Sequence, residues 1–290
     1  MFWQTTHYRI DLTQPRVMGI VNLTPDSFSD GGDYYQPGGG IAAAMRQCER
    51  LVHDGADMLD LGAESSRPGA LPLPQEEELA RLLPVLQEAV KLGVPISVDT
   101  YKPQVMQAAL DAGADVINDI WALRQPGAAA LVAAHPSCGV CLMHMHRDPQ
   151  TMQTLPMTGD AVPQVLLFLK QQVQYIKGLG VDSSRICLDP GIGFGKTMVQ
   201  NFALLAHQTQ LLTLGHPLLL GWSRKSSLAA AINPSLSSAA ALAANDRMVP
   251  SVAAALLAVE RGARVLRVHD VRETLQVLKV WQAMQNAAQV

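Results

Sequence analysis

Short apolar runs alternate along this chain with longer amphipathic stretches, and nearly every run stops at a polar residue. Val17-Met-Gly-Ile-Val21 reaches Asn22, Met58-Leu-Asp-Leu61 reaches Gly62-Ala-Glu64, Pro95-Ile-Ser-Val98 reaches Asp99, and Asp115-Val-Ile117 reaches Asn118-Asp119. Farther along, Val140-Cys-Leu-Met143 reaches His144, Ile186-Cys-Leu188 reaches Asp189, Leu218-Leu-Leu220 reaches Gly221-Trp-Ser-Arg-Lys225, and Val265-Leu266 reaches Arg267-Val-His-Asp270. Runs this short and this apolar suit strands buried on both faces of a parallel sheet, which need no polar alternation.

Between the runs lie helical periods. Ile41, Met45, Cys48, Leu51 and Val52 draw one apolar stripe; Leu79, Leu82, Leu83, Leu86 and Val90 draw a second; Val162, Val165, Leu166, Leu169, Val173 and Ile176 draw a third. Pro74 followed by Glu76, Glu77 and Glu78 marks a helix start, because proline suits the first turn and carboxylates suit the positive end of the dipole. The strand ends recur about every 35 residues, the size of one βαβ step. About eight such steps predict an α/β chain folded as one (β/α)8 TIM barrel over residues 1–290, with mobile loops at the C-terminal face of the strands. That face is where the polar strand ends gather.

Composition leaves this picture intact. Of 290 residues, 48% are hydrophobic and 16% charged, enough for a large core and too apolar for disorder. A net charge of -3 argues against a broad nucleic-acid surface, so any anion site must be a local pocket. The opening residues, Met1 to Arg9, lack the basic flank and long apolar stretch of a signal peptide, and the greasiest regions, near Leu211 to Leu220 and Ala253 to Val259, are broken before they reach membrane-spanning length. A cytoplasmic protein that contacts neither membrane nor nucleic acid is expected.

Three motifs resemble familiar chemistry and are set aside. Cys138-Gly-Val-Cys141 has redox spacing but enters an apolar run without a second pair; Cys48, Cys138, Cys141 and Cys187 read as small core residues. His144-Met-His146 finds no companion ligands for zinc. Pro190-Gly-Ile-Gly-Phe-Gly-Lys-Thr197 ends like a phosphate-binding loop, yet has Pro190 where that motif requires glycine, so Lys196 is not read as a nucleotide lysine.

The strand ends taken together resemble dihydropteroate synthase. The resemblance is carried in order by Asn22-Leu-Thr-Pro-Asp-Ser-Phe-Ser-Asp-Gly-Gly32, Glu64-Ser-Ser-Arg-Pro-Gly69, Ser97-Val-Asp-Thr100 with Lys102, and Ile117-Asn-Asp119. It continues through Leu142-Met-His-Met145 with Thr151-Met-Gln153, Asp189 to Thr197, Ser223-Arg-Lys225 and Arg267-Val-His-Asp-Val271. One such motif recurs in other pterin-binding barrels; about eight in sequence, each at a barrel strand end, are specific.

The resemblance implies condensation of 6-hydroxymethyl-7,8-dihydropterin diphosphate with p-aminobenzoate, giving 7,8-dihydropteroate and pyrophosphate. It assigns the pterin to Asp99, Asn118, Met143, Asp189, Phe194 and Lys225, and the diphosphate to Asn22, Ser66, Arg67, Arg267 and His269. It assigns p-aminobenzoate to Phe28, Pro68 and Ser223, and gives Lys225, Arg67 and Asp99 the central part in the chemistry. Mg²⁺ is the implied cofactor, held by Asn22, phosphate oxygens and water, with Asp26 in its outer shell. The C–O bond is expected to break ahead of amine attack, with no nucleophilic residue; Phe28 has the alternative of pinning its own loop. The loops Asn22 to Gly32 and Gly62 to Gly69 are expected to order around the anion, making addition ordered, pterin diphosphate first. A homodimer formed through outer-wall helices is also implied.

Ala63 stands where the family usually has Gly, Ser66 where it has Thr, and Pro250 where Gly precedes Ser251; Ala63 and Pro250 are expected to narrow loop freedom. A methyltransferase barrel acting with a corrinoid partner would share Asp99, Asn118 and Asp189, but would not need Ser66-Arg67, Ser223-Arg-Lys225 and Arg267-Val-His269 for a diphosphate. A noncatalytic module binding pterin or pyrophosphate is the other alternative. The alanine- and serine-rich segment Ala231 to Arg247 is expected to be a helical excursion before the last strand.

Overall fold

The apolar runs form the strands they predict. A computed structural model of the chain describes residues 1–24, 39–65, 69–152, 154–233 and 247–288. Eight of its strands are parallel neighbours: β3 (Arg16–Asn22), β4 (Met58–Gly62), β5 (Ile96–Asp99), β6 (Val116–Asp119), β7 (Gly139–Met143), β8 (Ile186–Asp189), β9 (Leu219–Leu220) and β10 (Val265–Val268). They lie in the order β8-β7-β6-β5-β4-β3-β10-β9. The ring closes between its first and last members through a single bridge, Leu188 to Leu218, and the 2.9 Å bond from the Leu188 amide to the Pro217 carbonyl. The result is a nearly closed (β/α)8 TIM barrel. Its helices are α1 (Gly39–His53), α2 (Gln75–Ala89), α3 (Pro103–Asp111), α4 (Ala128–Ala134), α5 (Ala161–Gly178), α6 (Met198–Ala206), α7 (Ser226–Ile232), α8 (Met248–Glu260) and α9 (Val271–Ala287).

Two-residue periodicity divides every barrel strand except β5 between two cores. Val17, Val21, Leu59, Leu61, Ile117, Val140, Leu142, Ile186, Leu188, Leu220 and Leu266 pack outward with the helices. Met18, Met58, Val116, Cys141, Cys187, Leu219 and Val265 fill the barrel's interior at the N-terminal ends of the strands. All four cysteines are buried free thiols, as their apolar surroundings predict.

One element was not foreseen. A hairpin of β1 (Phe2–Gln4) and β2 (Arg9–Asp11) precedes the barrel and plugs its floor: Trp3, Ile10 and Leu12 pack on the interior cluster. The Trp3 indole donates a 2.9 Å hydrogen bond to the Arg185 carbonyl, which satisfies its polar edge at full burial. Strands of three residues leave too little periodicity to be read from sequence.

Pro250 requires a correction. It lies in the first turn of α8, not in a loop, and there its missing amide proton costs no helical hydrogen bond. Ala63 is buried immediately after β4. The loop residues Asp26, Phe28, Ser66, Arg67 and Pro68, and most of the Ala231 to Arg247 segment, lie outside the described residues. No helix among the described residues is long and apolar enough to cross a membrane.

Candidate active site

In β4, β6, β8 and β10 the last inward side chain is polar where the first is apolar, so the barrel interior turns from oil to charge on approaching the C-terminal mouth. Asp60 of β4, Ser97 and Asp99 of β5, Asn118 of β6, Asp189 of β8 and Arg267 of β10 make up this upper layer. Arg267 is its hub. The Arg267 Nε donates to Asp60 Oδ2 at 2.6 Å and its Nη2 donates to Asp99 Oδ2 at 2.8 Å. Asp60 is fully buried and also accepts from Ser97 Oγ at 2.6 Å and from Asn118 Nδ2 at 3.3 Å. A surface role for Arg267 is excluded by this geometry, since its side chain is only 21% exposed and two of its edges are held by carboxylates.

Asp60 had no part in the sequence reading. The available signal was a lone carboxylate inside Met58-Leu-Asp-Leu61, a run otherwise fit for the core. Burying such a charge is costly without a partner. That expense points to an internal cation, but only the fold brings Arg267 from the far end of the chain.

On the other side of the mouth, Asp189 is buried and accepts from the Gly191 amide at 2.6 Å. The Lys225 ammonium lies 4.3 Å from the centre of the Phe194 ring, a cation–π distance. Met143 and Phe194 pack with Ile120, Met145 and Met152 into an apolar wall, against which Tyr101 and Trp121 rest. Ser223 and His269 are hydrogen-bonded, Oγ to Nδ1 at 2.9 Å. Asn22 ends β3, half-buried, at the same face. The structure therefore gathers Asn22, Asp99, Asn118, Met143, Asp189, Phe194, Ser223, Lys225, Arg267 and His269 at one barrel mouth. Phe28, Ser66, Arg67 and Pro68 fall outside the described residues.

Burial sets the electrostatics. It pushes the Asp99 carboxyl up to about 7, against the pull of Arg267 and with help from Asp60 and Asp119. Burial also raises Asp189, opposed by the Gly191 amide and by Lys225, Lys196 and Arg267. Lys225 is drawn down to about 8 by burial and by the neighbouring Arg267 charge, with Asp189 and Asp99 opposing. Three carboxylates thus share a largely buried layer with two cations, an arrangement able to grip a polar heterocycle and an anion side by side.

The base of the Glu64 to Gly69 segment is anchored separately. Lys102 bridges Glu64 and Glu78. Tyr101 donates to Glu64 at 2.9 Å and Thr100 donates to Glu78 at 2.6 Å. Glu78 is accordingly buried and partnered, more than a carboxylate that serves the α2 dipole.

A family model described as pterin binding enzyme matches residues 18–269. The chain is 46% identical over 286 residues to the dihydropteroate synthase of Neisseria meningitidis serogroup B, covering 97% of each sequence. The chain belongs to the dihydropteroate synthase family. Solved members of that family superpose closely. The Xanthomonas albilineans dihydropteroate synthase with 4-aminobenzoic acid gives a TM-score of 0.86 at 47% identity, covering 96% of this chain and 95% of that one. The Burkholderia cenocepacia dihydropteroate synthase complexed with 7,8-dihydropteroate also gives 0.86, at 43% identity, covering 99% and 98%. The reaction of a dihydropteroate synthase, which the sequence resemblance implied, is thereby the activity of this chain. The alternatives of a corrinoid-linked methyltransferase and of a noncatalytic binding module fall away.

Proposed function

We propose that the upper polar layer of the barrel divides the labour of dihydropteroate synthesis among the residues gathered at its mouth. The observation that supports this most directly is the Asp60–Arg267–Asp99 array beside Asn118, a set of fixed donors and acceptors above the apolar floor of the barrel. Asp99, Asn118 and Asp189 would pair with the donor and acceptor edges of the dihydropterin, and Met143 and Phe194 would cover its faces. Arg267 engages Asp99 through Oδ2, which leaves Oδ1 for a ring N–H.

Arg267 and His269, with Asn22, Ser66 and Arg67, would receive the diphosphate. The Asn22 side chain ends a strand at the mouth and offers a hard carboxamide oxygen, the donor type Mg²⁺ prefers. Phosphate oxygens and water would complete the shell around Asn22. When bound, Mg²⁺ would neutralise charge on the diphosphate. In the reaction the methylene C–O bond breaks and its electron pair leaves with pyrophosphate. The arylamine nitrogen then attacks the methylene and loses a proton. Arg267 stabilises the departing anion, while Asp99 and Asp189 stabilise the electron-poor pterin.

Phe28, Pro68 and Ser223 would seat p-aminobenzoate, with Lys225 between the two substrates. The Ser223–His269 hydrogen bond supports adjoining p-aminobenzoate and diphosphate subsites. We also propose a homodimer, favoured by exposed apolar side chains on outer-wall helices, Met198 and Val199 of α6, Ile232 of α7, and Val249 and Leu257 of α8. Sedimentation at micromolar concentration would report a monomer if this is wrong. A cytoplasmic setting fits four buried cysteines kept as thiols. Pyrophosphate release, measured with both substrates and Mg²⁺ across single variants of Asp99, Asn118, Asp189 and Arg267, tests the division of labour; unaltered turnover in all four would refute it.

A further inference from the structure

The lysine of the Gly195-Lys196-Thr197 motif takes no part in the reaction as derived above, yet it is among the most completely enclosed charges in the molecule, only 2% exposed. Its ammonium donates to three backbone carbonyls: Gly191 at 2.8 Å, Phe194 at 3.1 Å and His144 at 3.2 Å. Two of these belong to the loop after β8 and the third to the segment leaving β7. Lys196 therefore ties one strand-end loop to its neighbour.

The glycines of the same loop explain how the carbonyls converge. Gly191, Gly193 and Gly195 all adopt left-handed φ, at 68°, 82° and 69°. Added Cβ atoms at Gly191 and Gly195 would lie 1.9 Å from the His144 carbonyl oxygen and 2.6 Å from that of His146, so the loop backbone presses directly on the β7 exit. A phosphate-binding loop turns its amides toward an anion. This one turns carbonyls toward an internal cation, and all three ammonium protons are spent on them. Lys196 has none left for an external phosphate.

The clamped loop carries one wall of the pterin pocket. Phe194, whose carbonyl Lys196 holds, is the ring against which Lys225 packs. A Cβ at Gly193 would lie 3.1 Å from Lys225 Cδ, so the loop also fixes the Lys225 stem. Asp189 starts the loop and bonds the Gly191 amide, while Lys196 takes the Gly191 carbonyl. We propose that Lys196 is a positioning residue, which sets Phe194, Lys225 and Asp189 in register for the pterin ring by filling a cage of backbone carbonyls. This rests on the pterin pocket assigned under the proposed function.

Calorimetric binding of 6-hydroxymethyl-7,8-dihydropterin, which lacks the diphosphate, separates this role from general stability when compared with Mg²⁺-pyrophosphate. Lys196→Met should weaken the pterin about tenfold or more, because its wall loses registration. Pyrophosphate binding, on the far side of the mouth, should stay within about twofold. Lys196→Gln, which keeps two N–H donors, should recover part of the loss and serves if the methionine variant does not fold. In the unaltered protein, reductive methylation read by mass spectrometry should spare Lys196 while modifying exposed Lys91. Methylation of Lys196 at the rate of Lys91, with shielding by pyrophosphate, would make it a diphosphate ligand and overturn the cage. Equal weakening of pterin and pyrophosphate would also overturn it. Lys225→Ala is the control for the pocket: if it weakens pterin binding while folded Lys196→Met does not, the pocket stands and the positioning role falls. If neither variant weakens the pterin, the pocket assignment itself fails and the proposal with it.

Discussion

Asp60 and Arg267 meet inside the barrel from strands whose contact residues are 207 positions apart, and their coupling is the sharpest test of how the mouth is built. Replacing Asp60 by Asn keeps shape and one acceptor but removes the charge that faces Nε at 2.6 Å. Removing one partner of a fully buried ion pair costs about 3–5 kcal/mol. Asp60 is fully buried but Arg267 retains 21% exposure, so water relieves part of the loss and about 2–3 kcal/mol is expected. Arg267→Gln should cost at least as much, since it strands Asp60 among donors, Ser97 and Asn118, that are neutral. The double variant removes both charges and should recover about 2 kcal/mol relative to the sum of the single changes.

Urea unfolding, followed by circular dichroism and by tryptophan fluorescence with coincident transitions, gives the cycle. The Asp60→Asn variant should also lose about tenfold or more in kcat/KM, because Asp60 holds both Arg267 and Asn118, the residues proposed to meet the diphosphate and the pterin. Additivity within about 0.5 kcal/mol would mean that the pair carries no coupling. The assignment of Asp60 as the counter-charge of the site would then be wrong.

Four further outcomes are expected. Lys225→Ala should reduce kcat/KM by about 2 kcal/mol while leaving the fold intact, because a mouth lysine contributes a charge-assisted hydrogen bond more than core packing. Burial holds the Lys225 ammonium down to about 8, so its charge is present below that pH and lost as pH rises through it; kcat/KM should fall on the alkaline side there, and an unchanged limb in Lys225→Arg would refute the assignment. Calorimetric titration of p-aminobenzoate should show weak binding to the free protein and tighter binding with Mg²⁺ and pyrophosphate present; equal affinities would exclude ordered addition. Sulfamethoxazole should compete with p-aminobenzoate at saturating pterin diphosphate, and unchanged turnover would show that the arylamine pocket does not accept it.

The strand pattern carried the architecture because parallel barrel strands are buried on both faces. Runs such as Val17 to Val21 and Val140 to Met143 betray themselves by composition alone, and each polar terminus marks the mouth. Asp99, Asn118 and Asp189 were legible for that reason: strand ends are local in sequence, and the C-terminal face of a barrel is where they gather. The tertiary structure alone decided which charges meet. Arg267, assigned by resemblance to the diphosphate, is also held by Asp60 and Asp99, and Glu78, expected to serve a helix end, turns inward to Lys102 and Thr100. Likewise Lys196, whose motif resembles a phosphate loop, is consumed by carbonyls that converge only after glycine backbones press against the neighbouring strand exit. Periodicity is a property of neighbouring residues and survives in one dimension. Pairing among buried charges depends on distances across the barrel and on how far each group is screened from solvent, and neither is defined until the sheet has closed.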